Sequence, residues 1–379
     1  MLKFGFFTIG LFLLILSSTT ADDFPELVDK QVKEQNEAES PPEGDVEKKK
    51  SFWKKIQGDP WLVVPIISSD PKISTAAGLM LGYVHKFDEE SPASIIGAVG
   101  SYSMTDSYYY GGFASLNFLK DRHRLILGGL AGEVNNDYTD FLGTGLPVQT
   151  TDDLRIFALR YSARVYGRWY VGPQFIDTNY GIGANDALTG KFLQLIGLTG
   201  FQSSGLGIYV EYDSRDNIYS PTRGQVFEFH NVAYRETFGG DVDFDSYNLG
   251  YNYFLSIGDK NVVAFDVSGR WTVDAPTSGY SSVGLRGYTF GQYLAPHVTS
   301  AQIEERFSLT KKWGLRAFTG VALLYGGRIY DGHDERSVFP VIGGGASYSL
   351  NQEGMIIRAD YAVGKDSNQG FYLSLGQSF

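Results

Sequence analysis

The chain contains no cysteine among its 379 residues. This absence excludes disulfide frameworks, thiolate metal sites and thiol catalysis, together with the lipidated cysteine of a bacterial lipoprotein. A formal net charge of -11, without a basic stripe, gives no reason to expect a nucleic-acid partner. The composition therefore removes several classes of function before any motif is considered.

Long hydrophobic runs are also scarce, and the first one is short. Lys3 precedes an apolar run from Phe4 to Leu16, and the small residues Thr19-Thr20-Ala21 follow. This order predicts a secretory signal peptide over residues 1–21. The alternative, a membrane anchor, needs about 20 apolar residues. No second long run follows, so any membrane crossing must use strands.

Residues 22–58 are rich in charge and poor in branched apolar residues. Such a segment buries too little surface to offset its ordering entropy, which predicts a disordered periplasmic linker. Near its end, Phe52 and Trp53 lie among several lysines, a mixture that suits a membrane interface. A solvated charge run is the alternative interpretation.

Residues 59–379 alternate between apolar and polar positions with a period of two. Tyr247, Leu249 and Tyr251, for example, alternate with Asn248 and Gly250. Counting such segments predicts an all-β fold, a closed antiparallel transmembrane β-barrel of about 16 strands. We expect no helix in this region, and long connections at 136–153, 180–204, 236–244 and 274–299.

A soluble sandwich would alternate too, but three features favour a membrane barrel. The apolar face is aromatic at its ends, as interfacial girdles are. The opposite face has charges and glycines rather than packed Leu and Val, which predicts a wet or plugged lumen. Short and long connections alternate, as periplasmic turns and extracellular loops do.

The first and last strands carry further signals. One face of the last strand presents Phe371, Leu373, Leu375 and Phe379, interrupted by Gln377, and the aromatic end resembles the recognition signal of outer-membrane barrels. In the first strand, Pro65 cannot donate a ladder hydrogen bond. This proline indicates either a weak seam between first and last strands or a bulge near the rim.

A set of motifs in the second half resembles one family. The segment Leu285-Arg286-Gly287-Tyr288 is followed by Glu304, and an earlier turn contains Asp213, Arg215 and Asp216. With the last two strands, this order resembles the bacterial surface antigen (D15)/BamA–TamA outer-membrane barrel superfamily. The resemblance covers about residues 200 to 379.

The resemblance implies that the loop around Arg286 folds into the lumen and presents its Arg-Gly-Tyr tip there. A buried guanidinium needs carboxylate partners, and alternation places Glu304 and Asp360 inward, so we expect these two. Relatives have an acidic residue at about Tyr325, where this chain departs from the pattern. The alternative leaves Arg286 exposed on a surface loop.

The resemblance further implies a non-enzymatic barrel in the outer membrane of a Gram-negative bacterium that assists protein insertion, translocation or surface assembly. Its partners would be outer-membrane lipid and lipopolysaccharide, with client polypeptides or accessory lipoproteins. Such relatives carry periplasmic POTRA domains, and the space before Trp61 is too short for one, so we expect a barrel-only member.

Two other functions compete with this one. A passive channel for small solutes would be plugged by the loop around Arg286, and its inward carboxylates would favour cations. A lipid-modifying enzyme would need a catalytic constellation, and the five histidines pair with no serine and acid at fixed offsets. No metal-ligand spacing is present either, so we expect no cofactor, no metal and no enzymatic activity.

Overall fold

The computed structural model describes residues 60–70, 74–138, 148–184, 187–195, 200–288, 290–327, 336–349 and 356–375. Within these residues sixteen antiparallel strands close into one barrel, in which each strand pairs with its neighbours along the chain. The barrel strands are β1 Trp61–Asp70, β2 Ser74–His85, β3 Ser94–Ser103, β4 Tyr108–Phe118, β5 His123–Tyr138, β6 Val148–Tyr166, β7 Trp169–Ala184, β8 Phe201–Asp213, β9 Gly224–Tyr234, β10 Phe244–Ile257, β11 Asn261–Val273, β14 His297–Ser308, β15 Trp313–Tyr325, β16 Arg336–Ser349, β17 Ile356–Gly364 and β18 Gln369–Leu375. The predicted fold class and strand number are confirmed.

The outer surface of the barrel is apolar and exposed, which is the arrangement of a lipid-facing wall. Aromatic rings lie along one edge of the barrel, the end at which β1 begins, where Trp61 contacts Tyr83, Trp169 contacts Tyr212 and Trp313 contacts Tyr348, with centroids 4.9–5.2 Å apart. Amphipathic rings at this height match the interfacial girdle expected from the sequence. None of the described helices is long and apolar enough to cross a membrane.

The inner wall departs from the expectation in its first third. Inward side chains of β1 to β6 form a buried apolar cluster rather than a polar surface, and its members include Leu62, Val64, Ile66, Met80, Ile95, Val99, Leu130, Leu154 and Ile156. Tyr219 and Ile218, from the turn between β8 and β9, pack against the same cluster. The expectation was wrong here because an inserted turn gives this wall a partner to pack on.

Two connections also differ from the sequence-based expectation. The loop expected at 136–153 is shorter, because β5 continues to Tyr138 and β6 begins at Val148. The polar residues of this extension pair across the strands, as in the hydrogen bond from Asn136 Nδ2 to Thr150 Oγ1 (3.0 Å). The connection expected at 180–204 contains a helix, α1 Ala187–Leu195. Nine residues interrupted by Gly190 give too little helical periodicity to detect.

The barrel closes between β1 and β18. β1 pairs with β2 from Trp61 to Asp70 without a shift in register. Toward β18, the described pairs are Ser68 with Tyr372 and Ser69 with Phe371. The described pairing across the seam is thus much shorter than the pairing of β1 with its other neighbour.

Several sequence-based expectations concern residues outside the described ranges. The signal peptide over 1–21 and the linker over 22–58 both precede residue 60, and Gln377 and Phe379 follow residue 375. These assignments stay predictions.

An arginine on the outer wall tests its contact with lipid. Ile342, at the middle of β16, is 66% exposed, and Leu315, near the start of β15 at the edge of the barrel, is 48% exposed. We expect Ile342→Arg to lower the unfolding free energy by about 2–4 kcal/mol and Leu315→Arg by about 0–1 kcal/mol, because the cost of a charge depends on bilayer depth. Urea unfolding in lipid vesicles measures both values. Equal costs at the two depths would contradict a lipid-facing wall.

Candidate functional site

The connection between β11 and β14 folds back into the lumen. It contains a 3-10 helix at Thr277–Gly279 and two short paired strands, β12 Ser281–Ser282 and β13 Leu294–Ala295. Arg270 of β11 donates hydrogen bonds to Ser281 Oγ (3.1 Å) and to the Gly279 carbonyl (3.0 Å), which hold the base of the loop. Val283 and Leu285 are fully buried in the loop. This connection, hereafter the lumen loop, is therefore packed inside the barrel and is not an exposed surface loop.

Arg286 at the tip of the lumen loop contacts two carboxylates on different strands. Its Nη2 donates to Glu304 Oε2 of β14 and its Nη1 to Asp360 Oδ2 of β17, each at 2.9 Å. The guanidinium also lies 3.5 Å from the ring centroid of Phe318 on β15. The structure thus brings Arg286 together with both residues expected from the sequence, and one cation–π contact orients the group between them.

Both carboxylates, Glu304 and Asp360, also contact other arginines. Glu304 Oε1 also accepts from Arg306 Nε (2.7 Å) and lies 3.4 Å from Arg316 Nη1. Asp360 lies 3.4 Å from Arg316 Nε and 3.5 Å from Arg358 Nε. In these described contacts four guanidinium groups share two buried carboxylates, so each carboxylate keeps a cationic partner if one arginine leaves.

A run of glycines in β16 makes these contacts possible. Register places Gly345 between Arg316 on β15 and Asp360 on β17. A Cβ at Gly345 would collide with the Asp360 carboxylate, and one at Gly343 would collide with the Phe318 ring. The missing side chains let residues of β15 and β17 meet across the strand that separates them.

The rest of the tip contacts β16 and the last hairpin, β17–β18. Gly287 adopts a φ of 91°, which favours glycine, and its N–H donates to the hydroxyl of Tyr372 on β18. The Tyr288 hydroxyl donates to the Pro340 carbonyl and accepts from the Lys365 N–H (2.9 Å). The Arg-Gly-Tyr tip therefore contacts the strand that closes the barrel.

Tyr325 takes no part in these contacts. Its hydroxyl accepts a hydrogen bond from Trp271 Nε1 (2.7 Å) and lies 3.3 Å from Thr299 Oγ1. It is the last residue of β15, whereas Phe318 lies in the middle of that strand. The departure from the family pattern at this position does not prevent Arg286 from finding two carboxylates.

A second ion cluster lies against the opposite wall. Asp213 accepts from Arg215 through both of its oxygens, each at 2.9 Å, and from Arg124 Nη1 at 3.3 Å. Arg124 also bonds to Glu211 and to Asp121, the latter at 2.8 Å. These contacts fix the start of the β8–β9 turn to β5, across β6 and β7.

Asp216 closes this turn on itself. Its carboxylate accepts from the Thr222 hydroxyl and from the backbone N–H groups of Asn217, Thr222 and Arg223. Burial raises the pKa of the Asp216 carboxyl, but these hydrogen bonds outweigh it and leave the pKa below its ordinary value.

The closed β8–β9 turn reaches across the lumen. The Tyr219 hydroxyl donates to the Ala93 carbonyl just before β3 (2.6 Å), and the Pro221 carbonyl accepts from Arg306 Nη1 of β14 (3.4 Å). The turn thus contacts two walls besides its own and crosses the end of the barrel at which β1 begins.

The residues singled out for the seam occupy the strands that meet there. Pro65 lies opposite Leu79 in β1–β2, and Phe371 lies opposite Ser69 across the seam. Leu373 and Leu375 pair with Ala359 and Ile357 of β17.

Sequence reasoning missed several residues that build this site. Phe318, Arg316 and Tyr372 are among them, because strand register decides which inward residues become neighbours. One signal was available, since Gly343-Gly344-Gly345 interrupts an alternating strand, and glycine within a strand marks a close approach.

Glu304 is a partner of three guanidinium groups, whereas each carboxylate keeps another arginine when Arg286 is lost. Substitutions of Glu304 and Arg286 should therefore lower the unfolding free energy by different amounts. We expect Glu304→Gln to lower the unfolding free energy by about 3–5 kcal/mol, because it removes the partner of three buried guanidinium groups. Arg286→Gln should cost clearly less, because both carboxylates keep other arginines. The exposed pair of Lys120 and Glu90 supplies a control, Lys120→Gln, expected within about 1 kcal/mol of the parent. Urea unfolding compares the three, and an Arg286→Gln cost equal to that of Glu304→Gln would contradict the shared cluster.

Comparisons with known proteins agree with this architecture. Residues 184–379, more than half of the chain, match the family model described as the Omp85 superfamily domain. Among curated proteins, none matches the sequence.

Solved structures share the fold at low sequence identity. BamA from Haemophilus ducreyi lacking POTRA domains 1–3 superposes with a TM-score of 0.54 at 13% identity, over 84% of this chain and 70% of that one. CdiB from Acinetobacter baumannii gives 0.54 at 12% identity, over 83% and 59%. CdiB from Escherichia coli gives 0.58 at 10% identity, over 83% and 61%, so the chain spans about three fifths of the two CdiB chains. The chain belongs to the Omp85 superfamily and is an outer-membrane β-barrel of a Gram-negative bacterium.

Proposed function

We propose that this barrel is a non-enzymatic assembly factor that helps other polypeptides insert into, or cross, the outer membrane through the β1–β18 seam. The observation that carries the proposal is the short described pairing of the seam, Ser68 with Tyr372 and Ser69 with Phe371. Every other strand pair of the barrel has a longer described register. A sheet opens at lowest cost where the fewest ladder hydrogen bonds must break, and an opened edge can pair with an incoming strand.

Membership of the family and similarity in fold to solved structures also support this proposal. The chain belongs to the Omp85 superfamily and resembles BamA and CdiB in fold. Client polypeptides and accessory lipoproteins are the partners that an assembly role would require. Outer-membrane lipid and lipopolysaccharide surround the apolar wall.

The lumen supports an assembly role better than a passive cation channel. Of the four inward carboxylates that would select cations, three are engaged in ion pairs, because Glu211 pairs with Arg124, Asp213 with Arg215, and Glu304 with Arg286. The fourth, Asp266, is buried and accepts a hydrogen bond from Asn252 Nδ2. Lumen contacts are also made from both ends, by the lumen loop and by the β8–β9 turn. A carboxylate in an ion pair attracts passing cations only weakly, because its charge is neutralised by its partner.

A disulfide across the seam tests the proposed function. The chain has no cysteine, so Ser69→Cys with Phe371→Cys adds a single possible bridge. Opposed strand residues have Cα atoms about 4.5–5.5 Å apart, within the disulfide range. We expect oxidation to block client biogenesis and reductant to restore it, measured as client abundance in the outer-membrane proteome.

The matched control crosslinks a hairpin that has no need to open. Leu255 and Val263 pair in the β10–β11 ladder, so Leu255→Cys with Val263→Cys should leave the proteome unchanged when oxidised. An unchanged proteome with the oxidised seam would contradict the proposed function.

Planar-bilayer recording tests the competing channel. We expect a closed trace from the intact chain, and a trace that stays closed after deletion of residues 278–296, because the β8–β9 turn still crosses the lumen at Tyr219. Cation-selective conductance that appears on this deletion would favour the passive channel instead.

A further inference from the structure

The lumen loop makes most of its polar tip contacts with a single hairpin. Besides the Arg286–Asp360 pair and the Tyr288–Lys365 bond, Asn368 Nδ2 in the β17–β18 turn donates to the Tyr293 hydroxyl (2.9 Å). Gly287 adds the bond to Tyr372. The loop therefore holds strand β17, strand β18 and the turn between them.

The inner surface of this hairpin is shaped for a backbone to lie on it. A Cβ at Gly287 would meet Ala362 and Gly364 of β17 at 3.4 Å, and one at Gly364 would clash with the Tyr288 ring. Small residues on both partners let the loop backbone approach the sheet closely, which brings the Gly287 N–H within reach of β18.

Tyr372 occupies a special place in the register. On one side it pairs with Asp360, the carboxylate that binds Arg286. On the other side it pairs with Ser68 of β1, one of the two described seam pairs. One residue of the closing strand thus contacts the loop tip through its side chain and the first strand through its backbone position.

From this juxtaposition we propose that the Tyr372 hydroxyl is a positioning group that couples the lumen loop to the seam, so that release of the loop tip loosens the β1–β18 pairing. Strand β18 is held at two places, by the lumen loop on its inner face and by β1 along its edge. Losing the inner contact leaves β18 with fewer constraints against local opening. The consequence for client passage rests on the proposed function, whereas the coupling itself is a property of the barrel alone.

Hydrogen exchange on the purified full-length barrel in lipid nanodiscs measures the coupling without any client. Tyr372→Phe removes the hydroxyl and keeps the ring. We expect amides of residues 369–375 to exchange about fivefold faster, the factor equivalent to one net hydrogen bond when exchange follows the opening equilibrium. Amides of the β10–β11 hairpin should exchange at the parent rate.

The control removes a hydroxyl from the same hairpin that does not contact the loop. Tyr361 donates to Gln369 Oε1 at 2.6 Å, between β17 and β18. Tyr361→Phe should leave the amides of Ser68 and Ser69 at the parent rate, whereas Tyr372→Phe should accelerate them. Equal acceleration by both variants would mean general weakening of the hairpin and would overturn the proposal.

A double variant separates coupling from a local effect of Tyr372 on its own strand. Arg286→Gln removes the ion pairs that hold the loop tip to β14 and β17, and we expect Tyr372→Phe added to it to give little further acceleration. The coupling would be overturned if the acceleration of exchange in the double variant equalled the product of the two single-variant accelerations. It would also be overturned if Tyr372→Phe alone left the exchange rate unchanged. A coupling that holds while the oxidised seam leaves client biogenesis intact would refute the proposed function and leave this inference standing.

Discussion

The buried carboxylate of Glu304 is the interaction on which the lumen depends. It accepts from Arg286 of the lumen loop and from Arg306 of its own strand, and it lies beside Arg316 of β15. Arg306 in turn reaches the Pro221 carbonyl of the β8–β9 turn. A charge removed from water is stable only when its partners satisfy it. One carboxylate therefore ties together two segments that enter the lumen from opposite ends.

Closure of the sheet imposes the complementary constraint. Lipid offers no hydrogen-bond partners, so the strands must satisfy each other around a complete ring. A closed barrel has no free strand edge, yet the proposed assembly function requires a free edge to form. The described pairing of β1 with β18 is short, and the lumen loop contacts the β17–β18 hairpin from inside, so the short seam and the loop contact share strand β18.

Small residues allow these arrangements as much as charged ones do. Gly345 admits the Asp360 carboxylate beside Arg316, and Gly287 admits the loop backbone against Ala362. A side chain at either position would separate the groups that meet there. The glycine run in β16 is thus part of the site, although none of its atoms carries a charge.

Local pattern determined the architecture, because a period of two fixes which side chains share a face. Sixteen strands, the aromatic girdle and the inward placement of Glu304 and Asp360 follow from that alternation alone. It could not reveal the helix at 187–195, nor the apolar inner wall, since Leu62 and Val64 look the same whether they face lipid or an inserted turn. Contacts across the lumen were decided by the tertiary structure. Which inward residues become neighbours, as Arg286 with Phe318 or Gly287 with Tyr372, depends on register and on the path of a loop, and these join residues far apart in the chain.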